Sequence, residues 1–89
     1  MGRYSLRIKD SAAKEIERIE PRKIRRQIVT RIQGLATNPR PPGCEKLAVA
    51  GDRYRVRQGV YRIVYEVRDL ELVVVLVKVG HRSQVYKSL

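Results

Sequence analysis

Arg55, Arg57, Arg62 and Arg82, with His81 and Tyr86, stand out in the second half of the sequence as side chains able to do chemistry on an anion. The planar guanidinium fork grips phosphate oxygens with paired hydrogen bonds, so a group of arginines reads as a phosphate clamp. His81 is the only histidine, and an unperturbed imidazole pKa of ~6.5 makes it the one side chain poised to exchange protons near neutrality. Tyr86 could stack on a nucleobase or, among cations that favour its charged form, ionise more easily. The bland alternative is that arginines alternating with apolar residues merely form a solvated strand face. Against it, no acidic residue interrupts the row Arg53, Arg55, Arg57. Like charges facing each other across strands destabilise a sheet by roughly 0.2 to 1 kcal/mol each, so an uncompensated row suggests an anionic ligand.

Composition narrows the classes. The chain has 89 residues, enough for one domain over residues 1–89, and too few for a large internal cofactor cavity. Twenty Lys and Arg against nine Asp and Glu give a net charge of +11, while 43% of residues are apolar, so the chain folds and seeks a polyanion or an acidic protein. One cysteine, Cys44, and one histidine make neither an internal disulfide nor a zinc site, and phosphate-binding glycine motifs are absent. No cofactor or metal is therefore expected. The longest continuous apolar run, residues 72–77, is far short of the ~20 residues of a membrane span, and the first residues do not resemble a signal peptide. A cytoplasmic location without membrane contact is the expectation.

The elements that must position the arginines follow from periodicity. Residues 4–9 alternate as a half-buried strand. Asp10 or Ser11 can cap a helix with Ala12, Ala13, Ile16 and Ile19 on one face, interrupted at Glu20 and Pro21. Pro21 suits the first turn of a second helix, where Ile24, Ile28, Ile32 and Leu35 recur at helical spacing. Residues 38–43, NPRPPG, break regular structure. A weak strand at 46–49, strands at 53–58 and 60–68, a turn at 68–71 and an apolar strand at 72–79 complete the order. The fold class is α+β, in the order β-α-α-β-β-β: a mostly antiparallel four-stranded sheet packed on an N-terminal helical hairpin. The helices cover one sheet face. Tyr54 and Val56 point toward them, Arg53, Arg55 and Arg57 away, while Tyr4, Tyr54, Tyr61 and Tyr65 belong to the core side.

The run YRVRQGVYRIVYEV at 54–67, followed by the apolar strand and by VGHRSQVY at 79–86, resembles the RelE-like toxins of the RelE/ParE superfamily of toxin–antitoxin systems. The resemblance spans essentially the whole chain. It implies a metal-independent endoribonuclease that enters the ribosomal A site and cuts mRNA through attack by the ribose 2′-OH, inhibiting translation. Such a transesterification needs a group to take the 2′-proton, cations to hold the phosphate, and an acid for the departing 5′-oxygen. By resemblance, Arg62 contacts the phosphate, Arg82 lies near the leaving group and Tyr86 is the C-terminal catalytic tyrosine. Arg55 and Arg57 stand where one branch carries lysines, and since arginine effectively cannot lose its proton they read as phosphate-binding residues rather than bases. The general base is left open: His81 is one candidate, though a histidine at the end of a buried strand often just hydrogen-bonds to backbone, and Tyr86 either stacks on a base or ionises among the cations. Arg22, Lys23, Arg25, Arg26 and Arg31 form a basic band that could contact ribosomal RNA, or simply a solvated helix face. The resemblance also implies a small acidic antitoxin as partner. Two alternatives stay open: a ParE-like toxin that inhibits gyrase, and a catalytically inactive member that only binds nucleic acid or antitoxin.

Overall fold

The computed structural model describes residues 3–47 and 51–85. Strand β1 (Ser5–Ile8) leads into helices α1 (Asp10–Glu17) and α2 (Arg22–Gly34), followed by strands β2 (Glu45–Lys46), β3 (Arg53–Gln58), β4 (Tyr61–Arg68) and β5 (Val73–His81). The α+β layering and the element order agree with the sequence expectation. In detail the sheet has five strands rather than four, in the order β1-β5-β4-β3-β2, because the two-residue β2 adds an edge beside β3. It is also mixed. β1 runs parallel to β5, while the three remaining pairings are antiparallel. The helical hairpin intervenes before β2, so the last strand inserts between β1 and β4, and the Val-rich sequence of β5 suits that central place.

Each helix buries the stripe its spacing predicts. Ile16 and Ile19 beside α1, and Ile28, Ile32 and Leu35 along α2, pack on Tyr54, Val56, Ile63, Tyr65, Val67, Val74, Leu76 and Val79 of the sheet. α1 stops at Glu17, before Ile19, and Ile19 stays buried because its N–H reaches back to the Ile16 carbonyl at 3.1 Å. Arg25 guides this corner, since its Nη1 donates to the carbonyls of Glu17 and Ile19 at 3.4 and 3.3 Å, groups the end of a helix leaves unsatisfied. A second, smaller core lies on the other sheet face, where Val64, Val77 and Val85 pack with Leu47 at its margin.

The NPRPPG segment is tied down rather than loose. Arg40 meets Asp69 with two parallel hydrogen bonds of 3.1 and 2.8 Å, donates from Nε to the Tyr54 hydroxyl at 3.0 Å and lies 5.0 Å from the Tyr54 ring centroid. Tyr4 donates to Asp69 Oδ1 at 2.7 Å, and the buried Tyr65 donates to the Pro39 carbonyl at 2.7 Å. The Arg40 guanidinium, aided by the Tyr4 hydroxyl, pulls the Asp69 carboxyl from 3.8 down to about 2. A carboxyl whose pKa is lower folded than unfolded favours the folded state fully above the unfolded value, and that contribution is lost as pH falls through the folded one. An acid titration followed by circular dichroism should therefore show Asp69→Asn less stable than the parent above pH 4 and the difference closing as pH drops toward 2. A constant difference across that window would contradict the assignment.

Candidate functional site

The hairpin of β3 and β4 and the C-terminal end of β5 meet at one end of the sheet. Register puts Arg57 directly opposite Arg62, and Arg62 opposite Gly80 on its other side. Cross-strand partners share a face, so two arginines and a glycine sit side by side on the face away from the helices. Arg62 Nη1 donates to the carbonyls of Gly59 and Tyr61 at 3.0 and 2.9 Å, which pins its guanidinium at the hairpin turn. Arg82 is brought to the same end, its N–H bonding the Val60 carbonyl at 2.8 Å. Gly80 leaves room for the turn that follows: a Cβ placed there would meet Val85 Cβ at 3.4 Å.

The charge row is only partly uncompensated, a correction to the sequence expectation. Arg55 pairs with Glu45 at 2.9 Å and Arg53 approaches Glu66 at 3.8 Å. Both acids come from neighbouring strands, where alternation within β3 cannot reveal them. Among the described residues, no ion pair involves Arg57, Arg62 or Arg82. The positive charge therefore concentrates at the end of the sheet rather than along β3.

His81 does not share the arginine face. β5 carries one extra residue, Val77, between the pairs Tyr65 with Leu76 and Val64 with Lys78. Such a bulge reverses the alternation beyond it, so Val79 and His81 turn to the helix side and His81 pairs with Tyr61. The two rings meet edge to face at 6.2 Å. His81 Nδ1 accepts the Ser83 N–H at 3.1 Å and lies 2.9 Å from Ser83 Oγ. An acceptor Nδ1 assigns the neutral ring's proton to Nε2, leaving that nitrogen as a donor. Tyr86 lies outside the described residues.

On the helix side of the same sheet end, Lys23, Arg26, Thr30 and Arg31 of α2 face Gln58 across a groove of about 510 Å³. Arg22, Lys23 and Arg26 are exposed, whereas Arg25 serves the end of α1. Sequence reasoning missed three partners in this region: Ser83 on His81, and Glu15 with Lys78 beside β5. Glu15 and Lys78 are far apart in sequence and had no periodic signal to join them, whereas Ser83 stood within the quoted terminal motif.

The geometry is that of a small α+β domain with arginines gathered at one end of a sheet that a helical hairpin covers on its other face. The chain belongs to the RelE/ParE superfamily: the model of the ParE toxin of type II toxin–antitoxin systems matches residues 6–86. A protein described as a RelE-like toxin from Escherichia coli is 32% identical over 88 residues, covering 94% of this chain and 90% of its own. Among solved structures, the archaeal RelE–RelB complex from Pyrococcus horikoshii matches with a TM-score of 0.80 at 27% identity, over 94% of this chain and 99% of that one. The intact Escherichia coli RelBE toxin–antitoxin complex matches with a TM-score of 0.76 at 29% identity, over 88% and 95% of the two chains. This protein is a type II toxin of the RelE family.

Proposed function

We propose that the protein is a metal-independent, ribosome-dependent endoribonuclease that cuts mRNA in the A site. The observation that carries this reading is the cross-strand Arg57 and Arg62 pair, set beside Gly80 and free of carboxylate partners among the described residues. Two like charges held face to face raise the energy of the empty site, and a phosphodiester relieves it. In the reaction, the ribose 2′-oxygen attacks the adjacent phosphorus, the bond to the 5′-oxygen breaks, and a 2′,3′-cyclic phosphate remains. Arg57 and Arg62 hold the phosphate oxygens as charge accumulates, and Arg82 stabilises the departing oxygen. His81 sits across the sheet from the arginines at the same end, where its neutral ring offers Nε2–H as a hydrogen-bond donor rather than a proton acceptor, and the departing 5′-oxygen takes its proton from water. Proton removal then falls to Tyr86, which follows directly on Val85. Arg55, with Glu45 as its partner, supports the clamp from one position farther along the same face.

The groove bearing Lys23, Arg26 and Arg31, with exposed Arg22 close by, supplies ribosomal RNA contacts whose strength falls with salt. Arg25 adds charge to that band while holding the end of α1. The +11 charge also fits a small acidic antitoxin, and the RelBE toxin–antitoxin complex shows a structural neighbour of this chain with an antitoxin partner. The match to the ParE toxin model favours one second reading, a gyrase inhibitor that leaves RNA intact. Purified protein separates the two. Added to a reconstituted translation system it should shorten the messenger, and added to gyrase it should leave supercoiling unchanged; gyrase inhibition with intact messenger would decide for the second reading.

A further inference from the structure

β5 outruns its neighbour. β1 ends at Ile8, opposite Leu76, and the Lys9 N–H makes its last bond to β5, on the Leu76 carbonyl at 3.1 Å. Beyond that point β5 continues to His81 with β4 on one flank and, among the described residues, no strand on the other. A strand with an open flank carries amides that need a partner, and it frays or slips without one.

The Glu15 side chain, arriving from α1, occupies this flank. Oε1 accepts the Val79 N–H at 2.9 Å, and Oε2 accepts from Lys78 Nζ at 2.8 Å. The side chains of Glu15 and Lys78 are only 25% and 22% exposed, so the pair is well enough covered to hold one geometry. Beside it a groove of about 390 Å³ reaches His81 and Gln84. The clamped amide precedes Gly80, the residue opposite Arg62, and with it the His81 and Arg82 pair.

We infer that Glu15 is a positioning residue of the cleavage site: its carboxylate does on this flank what a neighbouring strand would do and fixes the end of β5, and the turn that follows it, against Arg62. Both carboxylate oxygens are engaged, so Glu15 acts through the backbone of β5 and not as a proton acceptor. The inference rests on the messenger-cleaving reading for its catalytic consequence, while its structural half stands on the two hydrogen bonds.

Two measurements on the full chain test it. Amide hydrogen exchange should show Val79 exchanging about 10- to 100-fold faster in Glu15→Ala, the range expected for losing a bond to a charged acceptor, with Leu76 still protected. Glu15→Gln keeps an oxygen for the Val79 N–H and should retain most of the protection. In single-turnover cleavage of ribosome-bound mRNA, Glu15→Ala should lose about 10- to 100-fold in rate at saturating ribosome with little change in the concentration for half-saturation, and Glu15→Gln should recover most of it. Unchanged exchange at Val79 overturns the clamp. Faster exchange with an unaltered cleavage rate overturns the positioning role. If the parent cuts no messenger, the cleavage reading falls and exchange at Val79 alone decides whether Glu15 anchors the strand.

Discussion

Arg62→Ala should slow single-turnover cleavage of ribosome-bound mRNA by about 100- to 1000-fold, the range found when one charge-stabilising donor is taken from an active site. The size follows from how the residue is held. Bonds to the Gly59 and Tyr61 carbonyls fix the guanidinium at the hairpin turn before any substrate arrives, so little ordering remains to be done during the reaction. The carbonyls it leaves lie at a turn where water can replace it, and the melting temperature should barely move. Arg62→Lys should recover only part of the rate, since one ammonium cannot bond both carbonyls and still present a fork to phosphate. A normal cleavage rate in Arg62→Ala would remove the arginine pair from the mechanism.

Gly80→Val should abolish most activity while the domain still folds. A Cβ at this position would meet Val85 Cβ at 3.4 Å and Val85 Cα at 3.5 Å, which is ordinary contact, so Gly80→Ala is tolerated. The branched methyls of valine have no such room. They push the turn bearing Arg82 off the sheet, and a misplacement near 1 Å can cost about 100-fold in rate. The accompanying loss of stability should be about 1 to 3 kcal/mol, the usual cost of overpacking. Cleavage kinetics beside urea denaturation separate the effects, and a fully active Gly80→Val would show that the turn need not pack on β5.

Much of the fold was legible because β3 and the helices keep their periods unbroken. Tyr54 and Val56 are buried and Arg57 is exposed as alternation requires, and Ile28, Ile32 and Leu35 face the sheet. The parallel pairing of β1 with β5 was not legible, because a period of two assigns a face and never a neighbour. The site was legible in residue type and only partly in arrangement. The Val77 bulge, which no residue type announces, parts His81 from the arginine face, and Glu45 on a strand of two residues answers Arg55. Residues 38–43, read as a boundary, carry the Arg40 clamp on Asp69, a contact between segments whose charges gave no reason to be paired. The reading at 46–49 falls partly outside the described residues.

The most direct test is primer extension on a translated messenger after induction of the protein, beside Arg62→Ala and Arg82→Ala at equal protein levels. Cuts confined to translated codons in the parent, absent when initiation is blocked and lost in both variants, are the predicted result. Intact messenger under full growth arrest, or cuts that persist in both variants, would contradict the assignment of the arginine cluster to mRNA cleavage.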